Sequence, residues 1–238
     1  ADVDRARRPG SIVSSNTSGI PLHLIAEGRS ADFRQHFLGT HFFNPPRYMK
    51  LLELIPTADT SQRVIERIRS LAERVLGKRT VLCKDTPGFI ANRVGTFGGM
   101  ATIRYALEHG HGIEEVDALT GPLIGRPRTA TFRLADLAGL DVMAGVARNL
   151  HAALSEDESR VELRPLELLD RLVAAGRLGN KTGAGFYKRV ERPGRRPEFL
   201  VLDPQTLDYR PARSPALPLF EEVGGIRDIG ERLRAIMA

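Results

Sequence analysis

The pentapeptide Lys84-Asp85-Thr86-Pro87-Gly88 divides this chain into two kinds of pattern, and few folds accommodate both. Before it, short apolar runs alternate with polar turns. Ile12 to Ser15 reads as a strand that enters the turn Asn16-Thr17-Ser18-Gly19. Leu38 to Phe43 and Met49 to Ile55 read as two more strands, joined by a turn containing Pro45 and Pro46. Asp59 with Gln62 three residues on suggests a capping pair. Behind it Val64, Ile65, Ile68, Leu71, Ala72 and Val75 predict one apolar helix face, which Gly77 stops. Thr80 to Cys83 is a fourth strand. After the break, Asp85 or Thr86 is expected to cap a helix with Pro87 in its first turn. The patterns are then helical over 89–108, 113–120, 133–150 and 165–175. Gly95, Gly98 and Gly99 weaken the first of these unless another backbone packs closely there. The expectation is an α/β piece followed by an all-helical domain. Residues 191–238, proline-rich and charged and mildly helical from Ile226 to Ile236, read as a linker or docking tail.

Composition narrows the function classes. The 238 residues are 42% hydrophobic and 27% charged, as in ordinary globular proteins. No apolar run approaches the ~20 residues of a membrane span, and no secretory signal pattern is present. The single cysteine, Cys83, excludes an internal disulfide and a Cys-rich metal site, so a reducing, cytoplasmic location is expected. The net charge of +6 and pI of 9.9 suit nucleic acid or a phosphate-bearing small molecule equally well. The basic clusters at Arg5–Arg8 and Arg192–Arg196 carry no interleaved aromatics, so both read as solvated surface and no nucleic-acid partner is expected.

One pair carries chemistry. If the hairpin turn centres on Arg47, residues whose numbers sum to 94 oppose each other, and His41 faces Glu53 with Cβ atoms about 4.5–5.5 Å apart. Strand alternation puts Glu53 on the face of Met49, Leu51 and Ile55, where a carboxylate needs a partner. His41 can bond it through one ring nitrogen and keep the other for substrate, as in a general acid/base device. A buried pair that merely satisfies two polar groups fits the same geometry. His23, His36, His109, His111 and His151 show no ligand spacing beyond the pair at 109 and 111, which lies in a Gly-flanked turn and reads as structural or exposed.

Several motifs in series resemble the 3-hydroxyacyl-CoA dehydrogenase family: Ser15-Asn16-Thr17-Ser18, His41-Phe42-Phe43-Asn44-Pro45, Met49 to Glu53, Lys84-Asp85-Thr86-Pro87-Gly88-Phe89-Ile90-Ala91-Asn92-Arg93, Ala135 to Asp141, and Lys181-Thr182-Gly183-Ala184-Gly185-Phe186-Tyr187. They span about residues 11–188. The resemblance implies a partial Rossmann-like sheet over 1–86, part of an NAD-binding domain, then the family's helical C-terminal domain over 87–190 and a tail over 191–238. It implies His41 as acid/base, Glu53 as the acid that orients it, Ser18 and Asn92 as substrate-binding, and Asn44 and Lys181 near an NAD cofactor. The implied reaction is NAD-dependent oxidation of an L-3-hydroxyacyl-CoA in fatty-acid β-oxidation. The implied partners are the acyl-CoA substrate and a second copy bound through the helical domain. On its residues alone, Ser18 suits a turn, Asn92 a helix start, Asn44 the residue before a proline, and Lys181 a surface charge.

The sequence departs from the family in lacking a G-x-G-x-x-G turn between a strand and a helix, whose glycines admit a pyrophosphate. Gly19 stands where a second serine follows Ser18, and Gly125-Arg126-Pro127-Arg128-Thr129 replaces a Pro-Met-Gly-Pro-like turn. The expectation is a chain truncated at both ends, derived from a longer dehydrogenase joined to a hydratase. The alternative is a catalytically incomplete fragment that serves as a dimerisation or acyl-CoA-binding module.

Overall fold

The computed structural model describes residues 2–194 and 197–238; Arg195 and Arg196 of the second basic cluster lie outside the described residues. The chain forms two compact units, one through Gly95 and one from Thr96 to Ala238.

In the first unit, α1 (Asp2–Ala6) precedes β1 (Val13–Ser15), α2 (Leu22–Ala26), α3 (Ala31–Gln35), β2 (Phe37–Phe42), β3 (Leu51–Pro56), α4 (Gln62–Arg74) and β4 (Arg79–Leu82). The sheet has the order β1-β2-β3-β4, parallel at both outer pairs and antiparallel between β2 and β3. Alternation along the central strands builds a layer on each face. Odd-numbered Phe37 and Ile55 join Leu22, Ala26, Phe33, Cys83 and Phe89 in one apolar cluster, whereas Leu52 and Leu54 pack with Ala72 and Ile68 of α4. Gly39 makes room in the first of these layers: a Cβ there would lie 3.1 Å from two Ile55 side-chain carbons, which would have to shift. His41 and Glu53, also odd-numbered, therefore project into the layer of Phe89 and Cys83.

Helix α4 begins without the expected capping pair. Asp59 bonds Arg34 instead, and Gln62 bonds Glu66 within the helix. Its predicted face is also too wide, since Leu71 and Val75 are exposed, but the stop at Gly77 is formed by a left-handed residue. Met49 lies before β3 and is exposed, outside the face assigned to it. Asp85 does not cap the helix that follows it. Its carboxylate accepts the amides of Leu22 and His23, each at 2.8 Å, and so caps α2.

The following helix is α5 (Ala91–Glu108). The second unit continues with α6 (Ile113–Leu119), α7 (Phe132–Ala138), α8 (Leu140–Ala153) and α9 (Glu167–Ala174). After these come β5 (Tyr187–Val190), β6 (Glu198–Leu202), β7 (Tyr209–Pro211), α10 (Pro218–Val223) and α11 (Ile229–Met237). The predicted helix 133–150 is two helices, because Gly139 takes φ 99° and turns the chain between them. Part of the tail read as a linker packs into the core. Strands β5, β6 and β7 form an antiparallel sheet, and Val201 and Leu202 are fully buried with Met100, Ile103, Phe132, Leu172 and Phe186. The continuous apolar run Phe199-Leu200-Val201-Leu202 in β6 outweighs the flanking prolines and charges that suggested a linker.

Candidate active site

Residue pairing in the β2–β3 hairpin opposes His41 to Glu53, as the sum-to-94 register requires. Both are buried, at 3% and 0% exposure, and His41 Nδ1 lies 2.7 Å from Glu53 Oε2. Glu53 Oε1 accepts the amides of Ile90 at 3.1 Å and Ala91 at 2.8 Å, at the start of α5. Burial alone would raise the Glu53 pKa. The bonds from His41, Ala91 and Ile90 outweigh it, so the pKa falls below the ordinary value and the group is a carboxylate. A carboxylate only accepts, so His41 Nδ1 carries the hydrogen, and in the uncharged form of the ring Nε2 is an acceptor. The Ser18 hydroxyl, 3.0 Å from Nε2, is then the donor.

The surroundings hold this chain of bonds together. Asn92 Nδ2 donates to the Ser18 carbonyl at 3.4 Å, and Asn16 Oδ1 accepts the Phe42 amide at 2.9 Å, fixing the turn after β1 to the end of β2. Phe43 and Phe89 meet the His41 ring edge-on, with centroids at 4.6 and 5.5 Å. Burial, reinforced by the neighbouring Glu53, pushes the Cys83 thiol up to about 12, so it stays protonated and unreactive.

Of the six residues singled out in the sequence, four form one connected set: Ser18, His41, Glu53 and Asn92. Asn44 is exposed on the loop after β2. Lys181 belongs to the second unit, where its ammonium lies 2.5 and 2.7 Å from the two oxygens of Asp141. Sequence reasoning missed Asn16, Phe43, Phe89 and the two amides on Glu53. Phe89 stood inside a quoted motif, but nothing local reveals that its ring turns back onto His41.

Ligands of α/β sheets bind at the carboxyl ends of parallel strands, and Ser18 lies just past that end of β1. An exposed hydroxyl beside an imidazole acceptor suits the reacting end of a dinucleotide and its substrate. The 238 residues contain no G-x-G-x-x-G turn, so they do not supply the pyrophosphate cradle that a dinucleotide also needs. Among the described residues, no cluster of three or more His, Cys, Asp or Glu is placed to hold a metal, and no helix is long and apolar enough to cross a membrane.

Comparison with known proteins identifies the family. Residues 1–86 match the family model for the 3-hydroxyacyl-CoA dehydrogenase NAD binding domain, and residues 88–189 match the model for the C-terminal domain. A probable 3-hydroxyacyl-CoA dehydrogenase of Bacillus subtilis is 47% identical over 94% of this chain and 28% of its own length. Another from Deinococcus radiodurans is 45% identical over 83% of this chain and 56% of its own. The chain thus spans less than two thirds of either relative. Among solved structures, FadB2 of M. tuberculosis is 34% identical with a TM-score of 0.71, covering 80% of this chain and 65% of that one. Both domain models match in order on either side of the break at residue 87, and the chain belongs to the 3-hydroxyacyl-CoA dehydrogenase family.

Proposed function

We propose that these residues carry the proton-transferring part of an NAD-dependent oxidation of L-3-hydroxyacyl-CoA to 3-oxoacyl-CoA, a step of fatty-acid β-oxidation. The observation that supports this most directly is the ordered chain Ser18–His41–Glu53, with bonds of 3.0 and 2.7 Å. A bound nicotinamide dinucleotide supplies the hydride acceptor. His41 Nε2 takes the proton of the 3-hydroxyl as C3 is oxidised, and returns it in the reverse direction. Glu53 holds the ring in the required tautomer and stabilises the imidazolium that forms. Ser18 turns its hydroxyl from Nε2 to the reacting oxygen, and Asn92 fixes both the turn that carries Ser18 and the substrate. Asn44, on the exposed loop beyond His41, would be a residue beside the nicotinamide when the dinucleotide is bound. Lys181, whose ammonium pairs with Asp141, is the second residue proposed to lie near the cofactor.

The test is acetoacetyl-CoA-dependent NADH oxidation. It is run with this chain and with a chimera that adds the segment preceding its counterpart in the Bacillus subtilis relative. Turnover in the chimera, reduced about 10²–10⁴-fold by His41→Gln, is the expected result. A folded chimera that binds NADH yet shows no turnover overturns the proposal. Self-association through the second unit belongs to the same reading: Phe97 and Tyr105 of α5 are 38% and 58% exposed. Sedimentation should find a dimer.

A further inference from the structure

We infer that Phe89 is a positioning residue for the His41–Glu53 pair, acting on His41 through its ring and on Glu53 through its backbone. This inference rests on the proposed acid/base role of His41 for its functional meaning, but not for its test. Phe89 has φ 49° directly after Gly88 at φ 73°, so two consecutive residues are left-handed. For Gly88 that conformation is free. For a phenylalanine it is strained and persists only where the surroundings impose it.

Two consequences follow from this one turn. The Phe89 side chain enters the layer of Leu22, Phe33, Phe37, Ile55 and Cys83, is 5% exposed, and presents its ring to the imidazole at 5.5 Å and 62°. The next two amides, of Ile90 and Ala91, then point at Glu53 Oε1. The turn is closed by the Phe89 amide, which donates to the Thr86 carbonyl at 3.0 Å. With Phe43 on another edge of the imidazole, Phe89 keeps water from the Nδ1–Glu53 bond and keeps the ring from rotating. A leucine would fill most of the space but offers no flat edge to the imidazole, and its branched side chain suits the left-handed conformation poorly.

The experiment follows the His41 ring by ¹⁵N NMR in the full chain, reading its tautomer and the solvent exchange of its Nδ1 hydrogen; no turnover is needed. Phe89→Leu should accelerate that exchange about tenfold or more through more frequent local opening and should mix the two tautomers, and Phe89→Tyr should restore both. Phe37→Leu is the control, since Phe37 shares the same apolar cluster and stacks on Phe33 rather than on His41. Should Phe89→Leu leave exchange and tautomer unchanged, or Phe37→Leu disturb them equally, Phe89 is ordinary core and the inference fails. If Phe89→Leu does not fold, Phe89→Met carries the same two outcomes. An inactive chimera with a protected Nδ1 hydrogen would count against the dehydrogenase proposal and leave this inference standing.

Discussion

Glu53 has four hydrogen-bonding tasks to share between two oxygens, and three are filled by donors: the His41 ring and the amides of Ile90 and Ala91. In Glu53→Gln the amide has one accepting oxygen and one donating nitrogen. If the oxygen keeps the two amides, the nitrogen faces His41 Nδ1, which must then give up its hydrogen and accept. The hydrogen moves to Nε2, the atom that has to receive the substrate proton. The expected outcome is a fall in turnover of about 10²–10⁴-fold, with a loss of about 1–3 kcal/mol in stability from the broken charged bond. The chimera assay and a urea titration read the two effects. A variant that keeps wild-type turnover would remove Glu53 from the mechanism. The pairing was legible in the sequence because antiparallel opposition is arithmetic once a turn centre is chosen. The Asn92–Ser18 bond joins residues 74 apart, and no local pattern encodes it, so only the family motifs brought those two residues together.

Elements were legible where periodicity ran long and illegible where a single residue or a long-range bond decided. The β2–β3 hairpin and α5 stand close to their expected bounds. Helices α2 and α3, five residues each, are too short for an apolar period to register. The start of α7 depends on Asp117, fourteen residues before Thr131. Its carboxylate accepts the amides of Thr131, Phe132 and Arg133 at 3.0, 2.6 and 3.1 Å, and the Tyr187 hydroxyl at 2.8 Å. One buried side chain thus ties α6, α7 and β5 together. Asp117→Asn sets an amide donor against a ring of donors and should cost about 2–3 kcal/mol, whereas Tyr187→Phe removes one donor and should cost about 1–2. Shifts in urea midpoint at constant slope measure both. Equal costs would mean that the tyrosine bond, not the cap on α7, is what matters here.

At the scale of the whole molecule, the most buried acids of the two units, Glu53 and Asp136, are shifted in opposite directions. Asp136 is 2% exposed and accepts the amides of Phe186 and Tyr187, each at 2.8 Å. This bond holds the turn whose Gly179, at φ 90°, leaves no room for a side chain against the Asp136 backbone. Burial outweighs those bonds, and with Asp117 nearby the Asp136 pKa rises from 3.8 to about 6. A carboxyl that binds its proton more tightly when folded stabilises most below its unfolded value of 3.8, and this contribution vanishes as pH rises through about 6. The full difference is on the order of 3 kcal/mol, of which roughly a tenfold change in opening is recovered at pH 5. Glu53 behaves inversely: its pKa is lowered, so its contribution is complete above 4.5 and is lost only as pH falls through its folded value. Between pH 7 and 5, amide hydrogen exchange corrected for its intrinsic pH dependence should slow about tenfold in peptides from 132–190. Peptides from 37–56 should show no such gain. Asp136→Asn, which cannot titrate, should flatten the response of the second unit and leave that of the first untouched. A slope that survives this substitution would assign the acid-side stabilisation to Asp117, whose pKa burial also raises.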